Sequence, residues 1–169
     1  VDVSGTCECI EPLFADIPGD FGFTKENFAC VPYVDDAGYV TYAYNISGGA
    51  VVRWYRDQLA KHLSAQAKAE HVSVYDLLNR ACPKEPTDVI VLPFLQGMGG
   101  TPDVRPNARG MFYGVTMETG LPEFYRAILE GLTFEMAYNL EKLEGFGVAP
   151  NRLYACGGGA RSKVWLQIK

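Results

Sequence analysis

The residues best suited to chemistry lie at 155–169, ACGGGARSKVWLQIK, where Gly157, Gly158 and Gly159 follow an apolar run and lead into a helix start. A strand, a glycine turn and a helix N-terminus together form a phosphate cradle. Free amides point outward, the helix end is positive, and the missing Cβ atoms let a ligand reach the backbone. The established glycine fingerprints do not fit. GxGxxG needs a glycine where Ser162 stands, and a P-loop needs Gly-Lys-Ser/Thr after four intervening residues, which 157–164 lacks. On spacing alone the segment is either a ligand-free tight turn or a nucleotide contact. Cys7 and Cys9 could start a metal site on one face of a strand, but no CxxC and no His-rich segment completes it. The five cysteines, odd in number and widely spaced, read as reduced, mostly buried thiols of a cytoplasmic protein.

These turns need elements to hold them. Residues 1–10 interleave apolar and small residues and read as strand structure broken at Gly5. Residues 28–45 set Tyr, Val and Phe around a DDAG turn (Asp35, Asp36, Ala37, Gly38), a hairpin signal. Ser47 can cap a helix whose apolar positions Val51, Tyr55, Leu59 and Leu63 follow helical spacing. Ser73 can cap a shorter one through Leu77, Leu78 and Ala81, ended by Pro83. DVIVLPFLQG has the composition of a buried strand, and RGMFYGVT reads as another. Pro122 suits the first position of a long helix over 122–144, with Glu123 in its positively polarised first turn. Tyr125, Ile128, Leu132, Met136, Leu140 and Leu143 form its core-facing stripe. Gly145, Gly147 and Pro150 stop it. Gly131 inside this helix costs about 1 kcal/mol relative to alanine, so a neighbour is expected to approach closely there. RLYAC is the last strand before the glycines. Strands alternating with helices in the second half predict α/β structure on a mixed sheet.

At 169 residues the chain suits one domain or two small lobes. Its 48% hydrophobic and 12% aromatic content is that of a globular protein. The net charge of −5 is scattered in sign, and no Lys/Arg cluster offers a face to nucleic acid or anionic membrane. The apolar run at 89–95 is far shorter than the ~20 residues of a membrane span. No secretory signal peptide is read at the N-terminus.

GGGARSKVWLQ resembles the C-terminal glycine motif of the FGGY carbohydrate kinases, where GGGA-x-S-x-x-W-x-Q recurs. The segment 110–130 fits that family's second signature through Gly110, Phe112, Gly114, Val115, Glu123, Phe124, Ala127, Ile128, Leu129 and Glu130. PFLQGMGGTPDVRPNARG resembles the proline-glycine loop of the pentulose-kinase branch, SGTCECI the Ser/Thr-Gly-Thr hairpin, and ISGGAVVRWYRDQL the Gly-Gly helix start. The likeness runs in order along essentially the whole chain.

The resemblance implies a ribonuclease-H-like lobe of actin and Hsp70 type, a mixed sheet flanked by helices, with residues 1–169 as the C-terminal nucleotide-binding lobe. It implies that the chain is incomplete at both ends and that the sugar pocket belongs to an N-terminal lobe. The cofactors would be ATP and Mg²⁺. The partners would be ATP or ADP and a sugar, with no nucleic acid and no membrane, and the intact enzyme could form a homodimer. Gly5 and Thr6 match the turn that meets the terminal phosphates, and Gly49 the helix start lying against the adenosine. Gly158 and Gly159 match the turn beneath phosphates and ribose. Arg53 and Lys163 stand where the related glycerol kinases place a glutamine and an asparagine. The base aspartate is expected upstream of Val1, leaving no catalytic residue in this chain. The block ARG-x-F-x-G-x-T leans toward a pentulose such as xylulose. A non-catalytic ATP-binding module of actin type is the alternative; a Rossmann dehydrogenase lacks its fingerprint. Two geometric expectations follow: Thr6 and Gly159 line one cleft, and Gly159→Val weakens nucleotide binding in the intact enzyme while the lobe still folds.

Overall fold

The structure is a computed structural model describing residues 1–34 and 38–169. Its strands are β1 (Asp2–Ser4), β2 (Glu8–Ile10), β3 (Leu13–Phe14), β4 (Val31–Pro32), β5 (Tyr39–Val40), β6 (Ala43–Asn45), β7 (Ile90–Leu92), β8 (Met111–Tyr113) and β9 (Ala155–Gly157). Its helices are α1 (Gly22–Lys25), α2 (Gly48–Gln58), α3 (Leu63–Glu70), α4 (Val74–Ala81), α5 (Leu121–Gly145) and α6 (Lys163–Ile168), with a 3-10 turn at Gly159–Arg161.

Residues 1–10 fold as a hairpin, β1 antiparallel to β2 with Ser4 opposite Glu8, and the break falls at Gly5 as its lack of a side chain suggests. β6 pairs antiparallel with β2, and β9 pairs parallel with β1. The resulting order β6-β2-β1-β9 is a mixed sheet. Alternation sets its two faces. Asp2, Ser4, Glu8, Ile10, Ala43 and Asn45 are buried, whereas Val3, Cys9 and Tyr44 are not.

The buried face packs on α5, whose stripe serves two cores. Ile128 and Leu132 join Val51, Tyr55, Leu78, Val91 and Trp165. Met136 and Leu143 join Ile10, Phe23, Phe28, Ala43 and Val148, with half-buried Leu140 against them. One helix therefore ties the hairpin, α2, α4 and α6 into one body. Gly131 makes this possible: a Cβ there would lie 2.5 Å from the Val91 carbonyl oxygen, so β7 rests directly on the helix backbone.

Helix caps follow the sequence in part. Ser73 and Asp76 form a reciprocal box, Asp76 N–H donating to Ser73 Oγ at 3.1 Å and Ser73 N–H to Asp76 Oδ2 at 2.9 Å. Ser47 precedes α2, but its Oγ is buried without a partner; the helix start is held by the hairpin backbone instead. The expected stripe from Val51 to Leu63 is two helices, since α2 ends at Gln58 and Leu59 is 37% exposed. The DVIVLPFLQG strand is half-buried: β7 pairs with β8, turning Val91 inward and Ile90 and Leu92 outward. The last strand begins at Ala155, later than RLYAC suggested, and is exposed along its length. Of the five thiols only Cys82 is buried, while Cys7 and Cys156 are exposed, because the second strand starts after Cys7 and β9 has a bare face. The turn residues Asp35, Asp36 and Ala37 lie outside the described residues; flanking them, β4 and β5 pair antiparallel with Val31 opposite Val40.

Candidate functional site

Two turns at the same end of the sheet face each other across the β1–β9 pair. The hairpin turn closes with Gly5 N–H donating to the Cys7 carbonyl at 2.9 Å. The start of α2 docks on it: Gly49 N–H donates to the Gly5 carbonyl at 3.0 Å and Ala50 N–H to the Thr6 carbonyl at 3.0 Å. A Cβ at Gly49 would collide with the Gly5 carbonyl oxygen and one at Gly48 with the Cys7–Glu8 backbone, so docking on the hairpin alone requires the Gly-Gly start of α2. The second turn leaves β9 through Gly157, whose φ is +82°, and passes through Gly158 and Gly159 into α6.

Between these turns and α4 lies a cavity of about 490 Å³, within the range of small-molecule sites. Gly5, Gly49, Gly158 and Gly159 all line it. The three other predicted binding residues are not part of its wall. Thr6 and Arg53 are exposed beside Gly5 and on α2, and Lys163 is exposed at the first position of α6. The expected pairing of the two turns is thus made by the glycines, with Gly5 rather than Thr6 facing Gly159.

The rest of the wall comes from residues to which sequence patterns assign no binding role: Ser73, read only as a helix cap, Tyr75, Asp76 and Asn79 near and on α4, with Tyr125, read only as part of the α5 stripe. Ser162, Trp165 and Arg161 also line the cavity. The first two stand in the GGGA-x-S-x-x-W pattern, where their local role is now visible. Trp165 N–H donates to Ser162 Oγ at 3.2 Å, capping α6, and Ser162 Oγ donates on to Asn79 Oδ1 at 2.9 Å. Trp165 Nε1 donates to Thr133 Oγ1 at 3.2 Å, anchoring the indole to α5.

Beneath the floor sits a charged group. Lys169 Nζ donates to Asp2 Oδ2 at 2.6 Å and Ser4 Oγ at 2.7 Å, pairs with Glu8, and lies 4.8 Å from the centroid of the Trp165 ring. Glu8 is fully buried, and burial pushes its carboxyl up to about 7, against the pull of Lys169 and with the push of Asp2. Ser4 lines the cavity and joins this group, so the floor of the cleft and the buried charges share a residue. Among the described residues no group of three or more His, Cys, Asp or Glu side chains is placed to hold a metal ion. No helix among them is long and apolar enough to cross a membrane. The cleft can take an elongated ligand, an anionic end on the amide-rich glycine turns and a flat apolar end between Val52, Tyr75 and Tyr125.

Residues 24–169 match the sequence model of the FGGY family of carbohydrate kinases, C-terminal domain. The chain is 32% identical over 126 residues to a gluconokinase of Bacillus subtilis, a match covering 72% of this chain and 24% of that protein. It is 39% identical over 77 residues to a xylulose kinase of Escherichia coli, 46% of this chain and 16% of that protein. Among solved structures, a xylulose kinase from Brucella ovis superposes with a TM-score of 0.80 at 23% identity, covering 99% of this chain and 32% of that one. Gluconate kinase from Lactobacillus acidophilus superposes at 0.73 with 28% identity, over 99% of this chain and 32% of that one. The chain thus spans no more than about a third of these relatives.

Proposed function

Because the chain belongs to the FGGY family of carbohydrate kinases, we propose that it supplies the nucleotide-binding lobe of an enzyme that transfers phosphate from ATP to a sugar or polyol hydroxyl. The observation that carries this reading is the meeting of two glycine turns, distant in sequence, on one cavity of about 490 Å³. Backbone amides at Gly158 and Gly159 can hold a phosphate chain without a lysine, while Gly5, whose own N–H is spent on the Cys7 carbonyl, contributes a bare backbone; the absence of side chains keeps the phosphates close to both turns. Thr6, exposed beside Gly5, offers a hydroxyl to the terminal phosphates. Arg53 on α2 and Lys163 at the start of α6, both exposed and outside the cavity wall, are offered as cations to the nucleotide on the strength of the motif resemblance.

ATP supplies the phosphoryl group, and Mg²⁺ would be held by the phosphates, water and residues outside this chain. The base that activates the acceptor hydroxyl and the sugar pocket are likewise assigned to the preceding lobe. Transfer of this kind depends on positioning and charge stabilisation, and the part performed here is to grip and orient the donor. A pentulose such as xylulose is the favoured acceptor, supported by the xylulose kinases among the relatives and by the ARG-x-F-x-G-x-T block. The test is calorimetric titration with ADP and ATP, followed by a coupled assay with a pentulose panel. Nucleotide binding by the 169-residue chain with no sugar phosphorylation is expected. No affinity for either nucleotide sinks the reading, and turnover of a pentulose by the chain alone sinks the division of labour between lobes.

A further inference from the structure

Asn79 stands half-buried on α4 in the wall of the cleft. Its Oδ1 accepts two hydrogen bonds, from Tyr125 OH at 3.1 Å and from Ser162 Oγ at 2.9 Å. Both donors are committed. Ser162 Oγ already accepts Trp165 N–H as the cap of α6, so its own proton points outward to Asn79. Tyr125 is 2% exposed, and burial pushes its phenol up, so it keeps its proton. Both lone-pair directions of Oδ1 are filled by these two hydroxyl protons, so the amide spends its acceptor on the protein. In this arrangement Nδ2 is turned away from the two hydroxyls. Among the described residues no acceptor takes Nδ2, nor is it one of the buried polar atoms left unpaired.

An unspent donor in a cavity wall selects for an acceptor. Val52, Tyr75 and Tyr125 line the same cavity and provide surfaces for a flat ring, and the glycines of both turns line it too. We propose that Asn79 reads the nucleobase, Nδ2 donating to a ring nitrogen of adenine, while Ser162 and Tyr125 act as positioning residues that hold the amide in this sense. This rests on the reading that a nucleotide occupies the cleft. Because Ser162 also caps α6 directly after the glycine turn, base recognition and the phosphate floor share one hydrogen-bond relay.

The test uses ligands as well as variants. On the unaltered protein, ATP is compared by calorimetry with its 1-deaza, 3-deaza and 7-deaza analogues, each lacking one ring acceptor, and with tripolyphosphate. One deaza analogue is expected to lose about tenfold in affinity, the scale of a single hydrogen bond. In Asn79→Asp, which keeps Oδ1 for its two donors but presents an oxygen in place of Nδ2, ATP weakens at least as much. The sensitive analogue then loses nothing further, and tripolyphosphate binds as before. Equal binding of ATP and all three analogues, or an Asn79→Asp protein that binds ATP like the parent, overturns the assignment while leaving the nucleotide cleft standing. Failure of both ATP and tripolyphosphate to bind the unaltered protein removes the cleft reading and this inference together.

Discussion

At the scale of single residues, the glycines of the second turn are not equivalent. A Cβ at Gly159 would meet the Ser4 side chain and stand 2.8 Å from the Trp165 ring, so Gly159→Val would disturb packing as well as ligand space. The expectation of an intact lobe in that variant is corrected accordingly. Gly158 has ordinary helical angles, φ −64° and ψ −40°, and its nearest neighbour to a Cβ is the Ser4 carbonyl oxygen at 3.8 Å. Gly158→Ala is therefore expected to change unfolding stability by no more than about 0.5 kcal/mol. It should weaken ADP binding several-fold, because its methyl enters the cleft. Paired urea melts and calorimetry check both halves; unchanged ADP affinity would mean that the turn serves the fold alone. Glu8 allows a second prediction. Its raised pKa means that the fold favours the neutral acid, a contribution fully present below pH 4.5 and lost as pH climbs through about 7. At about 1.4 kcal/mol per pKa unit the effect is on the order of 3 kcal/mol. Glu8→Gln should flatten the decline in unfolding free energy across that window, and an unaltered slope would place the titration elsewhere.

At the scale of elements, α5 carries the load, and two of its positions show how. Gly131→Ala would gain about 1 kcal/mol of helix propensity in isolation. Here the new methyl would press on the Val91 carbonyl, so the net effect is expected to be a loss of about 1–3 kcal/mol from β7 being pushed away. One turn earlier, Arg126 pairs with Glu130 at 2.7 Å and donates to the Pro83 and Lys84 carbonyls at 3.0 and 2.9 Å, while Thr87 Oγ1 donates to Glu130 at 3.2 Å. Both side chains are over nine-tenths buried, so they fasten the 83–88 loop to the helix rather than decorate a surface. Glu130→Ala strands the guanidinium and should cost about 3–5 kcal/mol, measured by urea unfolding. Replacing both partners with apolar residues of similar volume should cost much less, which separates the pair's fastening role from the burden of one uncompensated charge.

At the scale of the whole molecule, the cleft lies where α2, α4, α5, α6 and both glycine turns converge, so a ligand there touches most of the elements that close around α5. Nucleotide should therefore stabilise the entire body, not one loop. With ADP at a hundredfold excess over its dissociation constant, the unfolding free energy should rise by about 2.7 kcal/mol. Hydrogen exchange should slow in α4 and α6 together, because Ser162 and Asn79 link them. Slowing confined to the glycine turn would show that α4 takes no part in binding.

The sequence by itself determined what is local. The Gly5 break, the Ser73 cap, the α5 stripe and the close approach at Gly131 were legible because each shows in residue types within a turn or two, whereas Asp76's part in the cap appeared only in the structure. So were the glycines that line the cleft, since a residue without a side chain shows its purpose in its motif. Tertiary structure alone decided the rest. Asn79 and Tyr125 lie 46 positions apart, and nothing in their spacing says that one hydroxyl will fix the other's amide. The burial of Glu8, the inward and outward faces of DVIVL and the exposure of Cys156 depend on which strand or helix lies alongside. Local patterns specify hydrogen bonding and periodicity along the chain, whereas burial and polar pairing across it are set only when the elements close around α5.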